Sequence, residues 1–103
     1  MFESIFNTTT DAIILFDSQG NIFKVNPRFT EMFGYGLEEI IDKNVSVVLT
    51  EEYILSDILK DKAVERVIEV RAKSGNLIRV IGKFGPLSKA FKSVGGYAIF
   101  SDI

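Results

Sequence analysis

Residues 11–41 constrain the fold more than any other part of the chain, because they set out strand, turn, strand and two short helices in order. Residues 12–16 are an apolar, branched run of strand length. Residues 17–21 supply turn residues that tolerate tight or positive-φ geometry, and residues 22–25 form a second apolar run. The segment therefore predicts a β-hairpin, with helices after it.

Two short helices are predicted after the hairpin. Asn26 followed by Pro27 is typical of a helix start, because the Asn side chain can accept from free amide groups and Pro fits the first helical position. Apolar residues at helical spacing continue to Phe33, and Gly34 ends the helix. The same spacing recurs over residues 37–41, which predicts a second helix with its acidic side chains outward.

The order of these motifs resembles the first half of the PAS sensory domain family: strand, Asp-x-x-Gly turn, strand, Asn-Pro, helix, Gly-Tyr and Glu-Glu. The matching positions are Asp17, Gly20, Asn26, Pro27, Phe33, Gly34, Tyr35, Glu38 and Glu39. Residues 96–103 resemble the family's last strand, so the resemblance covers nearly the whole chain. Each motif alone is common, and their order and spacing carry the resemblance. Asp42 departs from the pattern, since the family usually has glycine there.

The second half of the chain predicts the remaining elements of an α+β fold. Residues 52–60 have one apolar side and predict a helix. Residues 64–72 and 77–84 predict paired strands, and residues 85–93 predict a flexible surface loop because Gly and Pro interrupt the apolar pattern. The expected architecture is a five-stranded antiparallel sheet with short helices on one face and an amphipathic N-terminal helix.

The N-terminal residues predict that helix, because Phe2, Ile5 and Phe6 lie at helical spacing before a run of threonines. The first strand is apolar on both of its faces, so the outer face of the sheet also needs cover. Two arrangements would provide it. The short helix packs within its own chain, or Phe2, Ile5, Phe6 and the outer sheet face form a homodimer interface.

The 103 residues, 47% apolar and 25% charged, suit a single domain, with residues 1–10 as the flanking helix and 11–103 as the core. No apolar run is long enough to span a membrane and the start lacks a secretion signal, so we expect a cytoplasmic domain with no membrane segment. Twelve basic and fourteen acidic side chains are spread along the chain, for a net charge of −2. This balance argues against a nucleic-acid partner.

The sequence contains neither histidine nor cysteine. Their absence excludes disulfides, a thiolate nucleophile, Ser-His or Cys-His pairs, an ordinary structural zinc site and a histidine proton switch. The adjacent carboxylates Glu38-Glu39 and Glu51-Glu52 diverge on helices and do not converge on one bond. We therefore expect no catalytic residues, no metal site and no enzymatic activity in this chain.

The resemblance implies a pocket between the sheet and the helices, lined by apolar and aromatic side chains that equally suit an ordinary core. The candidate lining residues are Phe29, Phe33, Ile41, Val48, Ile54, Ile58, Ile68, Val80 and Phe100. Four polar residues could orient an anionic or hydroxylated ligand, namely Asn26, Tyr35, Arg66 and Arg79. Each has a structural alternative: Asn26 caps a helix, Tyr35 fixes the turn between helices, and the arginines face solvent.

Members of the resembled family bind haem, flavin, a cinnamoyl chromophore, an organic acid or no known ligand, so the resemblance implies one of these possibilities. A haem held by histidine is excluded here, and so are a flavin or chromophore linked to cysteine. Non-covalent flavin is disfavoured because no tryptophan is present to stack on its ring, although Phe and Tyr could do so. We therefore expect no cofactor, which leaves an apolar or weakly polar metabolite or an empty pocket.

The expected function is that of a non-catalytic sensory domain of a bacterial or archaeal two-component signalling protein, such as a histidine kinase, which binds a small molecule in its core, dimerises, or both. Asp102 is the candidate signal-coupling residue, because residues 101–103 resemble the family's terminal Asp-Ile-Thr before an output domain. Its alternative role is to end a strand. The rival functions are a ligand-free interaction module for dimerisation and, third, a small enzyme.

Overall fold

The computed structural model describes residues 2–50, 64–89 and 92–103. The elements in them are α1 (Phe2–Thr8), β1 (Ala12–Asp17), β2 (Ile22–Val25), α2 (Pro27–Phe33), α3 (Leu37–Ile40), a 3-10 helix (Val45–Val47), β3 (Val64–Arg71), β4 (Leu77–Lys89) and β5 (Lys92–Asp102). The predicted helix over residues 52–60, with Ile54 and Ile58, lies outside the described residues. No helix in the described ranges is long and apolar enough to cross a membrane.

The strands form one antiparallel sheet in the order β2-β1-β5-β4-β3. This confirms the predicted five-stranded α+β fold. The last strand lies at the centre of the sheet, where Ala12 of β1 pairs with Phe100 of β5. The start and the end of the sheet-forming chain are therefore neighbours, although they are far apart in sequence.

Side chains alternate between an inner sheet face that packs on α2 and α3 and an outer face turned away from them. The inner residues form one buried cluster with the helices, because the branched and aromatic strand residues meet the apolar side of each helix. The cluster consists of Ala12, Ile14, Phe16, Ile22, Val25, Phe29, Phe33, Tyr35, Ile40, Val45, Val48, Leu49, Ile68, Val70, Val80, Phe84, Ala98 and Phe100. This core fixes the position of the candidate site.

The prediction of a flexible loop over residues 85–93 is wrong, because β4 and β5 form a long hairpin through most of this segment. Packing requires glycine at position 85, because a Cβ there would lie 2.5 Å from the Tyr97 hydroxyl. The described pairing of β3 with β4 ends at Val64 and Phe84, so the missing amide hydrogen of Pro86 removes no bond from that ladder. Both residues are compatible with a strand in this setting.

Asp42, the departure from the family pattern, adopts a left-handed backbone with φ of +71°. This conformation favours glycine, and Asp is among the few other residues that tolerate it. The amide of Asp42 donates to the Ile22 carbonyl at 2.8 Å, which ties the end of α3 to β2. The geometry explains why glycine suits this position.

Candidate functional site

The interior between α2 and the sheet contains a chain of five aromatic rings in successive contact. Phe29 stacks on Tyr35 at 5.9 Å between centroids and meets Phe33 at 5.3 Å. Phe100 contacts Phe33 at 5.6 Å and Phe84 at 5.9 Å, edge to face in both pairs. Such geometries are favourable for aromatic pairs. The five rings therefore form one continuous set of contacts between α2 and the sheet.

The predicted lining residues that lie in the described part of the chain come together in this interior. Phe29, Phe33, Val48, Ile68, Val80 and Phe100 all belong to the buried cluster. Ile41 is partly buried against it, one residue beyond the end of α3. Whether these side chains bind a ligand stays a prediction, and each contributes to the core in any case.

Asn26 caps α2, which confirms the structural alternative weighed for it. Its Oδ1 accepts from the amides of Phe29 at 3.0 Å and Ile13 at 2.9 Å, and its Nδ2 donates to the Asp11 carbonyl at 2.9 Å. The side chain is almost fully buried. One residue therefore joins the start of β1 to the start of α2, and its polar atoms are engaged by the backbone.

Tyr35 ties the turn after α2 to β3. Its hydroxyl donates to the Arg71 carbonyl at 2.6 Å, while its ring packs on Phe29. Burial raises the pKa of this phenol, and the positive charge of Arg71 partly opposes the rise. Tyr35 therefore keeps its hydroxyl proton at ordinary pH, which the hydrogen bond to Arg71 requires.

The two arginine candidates differ in their placement. Arg79 is exposed on the outer face of β4, so it does not reach the interior. Arg66 shares a face with Ile68 and Val70 on β3 and is half-buried. Only Arg66 lies on the same side of the sheet as the lining residues.

The acidic start of α3 makes a surface contact. Glu39 accepts from Lys73 Nζ at 2.7 Å and from the amide of Gly36 at 3.3 Å. The hydrogen bond from Lys73 is the main reason why the pKa of Glu39 lies below its usual value. Within the described ranges, no group of three or more Asp or Glu residues is arranged to hold a metal ion.

Asp102 takes part in a contact that sequence reasoning missed, because its partner is Arg28 on α2. Arg28 Nη2 donates to Asp102 Oδ2 at 3.1 Å, Nε donates to the Thr10 carbonyl at 3.0 Å, and Nη1 lies 3.6 Å from Glu31. One guanidinium thus links the segment before β1, helix α2 and the end of β5. No local pattern indicates a contact between residues 74 positions apart.

The outer sheet face carries an apolar groove of about 220 Å³ beside α1, here called the outer groove. It is lined by Ile5, Phe6, Ile13, Leu15, Leu87, Tyr97 and Ile99. Phe6 is 2% exposed, and Lys24 Nζ lies 5.0 Å from the centroid of its ring, in cation-π geometry. Ile5 is 65% exposed. Phe6 therefore packs within its own chain.

Comparison with known proteins gives a consistent result. The sequence profile described as the PAS fold matches residues 1–83. No similar sequence is found among curated proteins.

Several solved structures share the fold. A PAS domain from Colwellia psychrerythraea superimposes with a TM-score of 0.88 at 24% identity, covering 99% of this chain and 93% of that one. A domain of a sensory box sensor histidine kinase/response regulator from Geobacter sulfurreducens gives 0.86 at 19% identity, covering 98% and 90%. The PAS domain of nitrogen regulation protein NR(II) from Vibrio parahaemolyticus gives 0.83 at 14% identity, covering 100% and 98%. At these identities the similarity shows the fold.

Proposed function

Because the chain belongs to the PAS fold family, whose profile matches residues 1–83, we propose that it is a non-catalytic sensory and regulatory domain of a signal-transduction protein. The proposal includes a cytoplasmic location and an output domain in the parent protein. It further includes a parent of the histidine kinase type, which is supported by the similar fold of the domain from the Geobacter sensor histidine kinase/response regulator.

The observation that carries this proposal is the contact of Arg28 with both Thr10 and Asp102. Helix α2 buries Phe29 and Phe33 in the interior, so a ligand that displaces these rings would also shift Arg28. The shift would act at once on the segment before β1 and on the end of β5. A ligand with different affinities for the two arrangements would thereby change their populations. Asp102 is the coupling residue in this mechanism.

The ligand we propose is a small apolar or weakly polar molecule held among the predicted lining residues. The polar atoms of Asn26 and Tyr35 are bound by the backbone, so recognition would rest on shape and apolar contact. We propose no haem and no covalently attached chromophore, because the chain has no histidine and no cysteine to hold them. The phenylalanine rings would have to move apart to make room for this ligand.

The second candidate function is that of a ligand-free interaction module that dimerises. The continuous ring contacts from Tyr35 to Phe84 favour it, since rings that pack on one another stabilise the domain without a ligand. With either function, Phe6 packs on its own sheet. A second copy would therefore contact the exposed Ile5 and the outer sheet face, and not Phe6.

Native mass spectrometry and absorption spectroscopy of the purified domain separate these functions. The sensor is expected to carry a small organic molecule whose mass is lost on denaturation, in a colourless preparation. The interaction module is expected to show a dimer with no bound molecule. A yellow or red preparation would refute the absence of a cofactor, and a monomer with neither ligand nor partner would refute both functions.

A further inference from the structure

The outer groove has the shape and the lining of a site for an alkyl chain. Its walls are apolar and aromatic side chains, from α1 on one side and from β1, β4 and β5 beneath. An apolar cavity of about 150 Å³ can hold a ring of six carbons. The outer groove measures about 220 Å³, which gives room for a chain of about eight carbons. It lies on the opposite face of the sheet from the buried cluster, so it is separate from the interior.

Lys24 places a positive charge beside the outer groove. It pairs with Leu15 across β1 and β2, and its Nζ lies 5.0 Å from the centroid of the Phe6 ring. Leu15 and Phe6 both line the outer groove, and Lys24 itself is half-buried. Within the described ranges, no carboxylate lies close enough to Lys24 to form an ion pair. Its ammonium group is therefore available to an anion that enters the groove.

The other charges of the outer face are engaged or lie farther away. The carboxylate of Asp17, at the end of β1, accepts from two amides of the turn that follows it. Lys83 lies across from Ile99 on the far side of the groove, with a Glu65 oxygen 3.9 Å from its Nζ. Three further charges lie towards the β3-β4 turn, namely Glu69, Arg71 and Arg79. Among the described charges beside the outer groove, this leaves Lys24 for a ligand.

We propose that the outer groove binds a free medium-chain carboxylate, with the alkyl chain against the apolar walls and the carboxylate beside Lys24. Burial of the chain removes apolar surface of both the ligand and the groove from water. The ammonium group of Lys24 favours the anion over a neutral or a cationic chain of the same length. The walls alone would accept all three chains, so the charge of Lys24 selects the ligand.

This site goes beyond the proposed sensory function and does not depend on a ligand in the interior. Helix α1 forms one wall of the outer groove through Ile5 and Phe6. A bound chain would therefore hold α1 more firmly on the sheet, because a ligand that binds only the packed arrangement stabilises it. Amide hydrogen exchange in α1 is expected to slow when the groove is occupied.

Titration with octanoate, followed by two-dimensional NMR of the natural chain, provides the test. Octanamide and octylamine are the neutral and cationic probes of equal length. Octanoate is expected to bind at least about fivefold more tightly than octanamide, because only the anion gains from Lys24. Hexanoate should bind about tenfold more weakly than octanoate, since it buries two fewer methylene groups.

Variants of three residues locate the site. Lys24→Met is expected to remove the preference for octanoate over octanamide. Lys83→Met is the matched control and should keep that preference, because Lys83 lies on the same face but beside Glu65. Ile5→Glu adds a carboxylate at an exposed position of the rim and should weaken octanoate binding. Circular dichroism verifies that each variant is folded.

Four results would overturn the proposal. One is the absence of saturable chemical-shift changes with octanoate, and another is equal affinity for octanoate and octanamide in the natural chain. Changes centred on Phe33 and Val80, and not on Leu15 and Tyr97, would place the chain in the interior. An affinity for octanoate that falls as the protein concentration rises would show that a second copy occupies the groove.

Discussion

The guanidinium of Arg28 lies 3.1 Å from the carboxylate of Asp102 and also donates to the carbonyl of Thr10 at 3.0 Å. The carboxylate is exposed and the arginine is about a third exposed, so the ion pair alone is worth less than about 1 kcal/mol. Its interest lies in geometry, since a single side chain on α2 contacts both the segment before β1 and the end of β5.

We expect Asp102→Asn to lower the free energy of unfolding by less than about 1 kcal/mol, and Arg28→Met by about 1–2 kcal/mol, since the latter also removes the bond to Thr10. Urea denaturation of the two single variants and the double variant gives the coupling energy of the pair. Arg28→Met should also accelerate amide hydrogen exchange at both the start of β1 and the end of β5.

Glu31→Gln is the matched control, because Glu31 lies farther from Arg28, at 3.6 Å, and is 67% exposed. It is expected to change stability negligibly. If Glu31→Gln were as disruptive as Asp102→Asn, or if the effects of Arg28→Met and Asp102→Asn were simply additive, Arg28 would not couple the segment before β1 to the end of β5.

Asn26→Ala is expected to lower the free energy of unfolding by about 2–4 kcal/mol. The change leaves the buried amide of Phe29 and the partly buried amide of Ile13 without an acceptor, and the Asp11 carbonyl without a donor. Asn44→Ala is the control, since Asn44 also caps a helix but makes its bonds in contact with solvent. Chemical denaturation should show a loss of at most about 1 kcal/mol for Asn44→Ala. Equal losses would mean that burial does not amplify the role of Asn26.

Much of the fold could be predicted because residues 11–41 act through local rules. The cap at Asn26 and the stop at Gly34 depend only on neighbouring residues, and both are present as predicted. The burial of Phe29, Phe33 and Phe100 likewise follows from the apolar pattern.

The hairpin at residues 85–93 could not be predicted, because the reason for its glycine lies elsewhere in the chain. Gly85 fits under Tyr97, and Gly95 lies so close to β1 that a Cβ would overlap the Phe16 carbonyl. From the local sequence alone, these glycines indicate a break in the strand. The contact between Arg28 and Asp102 could not be predicted for the same reason. It depends on the pairing of β1 with β5, which places the end of β5 beside the start of β1.

Asp42→Gly is expected to raise the free energy of unfolding by about 0.5–1 kcal/mol. Asp42 has φ of +71°, where a Cβ is unfavourable, and relief of that strain exceeds the entropy that glycine adds to the unfolded chain. Lys43→Gly, one residue later, is the control and should lower stability by a similar amount, because it adds that entropy without relieving strain. Thermal and chemical denaturation measure both. A loss of stability in Asp42→Gly would show that the aspartate side chain contributes more than its backbone strain removes.

Tyr35→Phe is expected to lower the free energy of unfolding by about 1–2 kcal/mol at neutral pH, because the Arg71 carbonyl loses its donor in a partly buried site. The pKa of Tyr35 is raised above 10.0 by burial, so the neutral phenol is favoured in the folded state. Its contribution is fully present below the unfolded pKa and is lost as pH rises through the folded pKa. The natural chain should therefore lose its advantage over Tyr35→Phe at alkaline pH.

Urea denaturation across this pH range measures the difference in the free energy of unfolding. Tyr97→Phe is the control, and it should still lose the contribution of Tyr35 at alkaline pH because it keeps the Tyr35 hydroxyl. A constant difference between the natural chain and Tyr35→Phe at every pH would contradict the assignment.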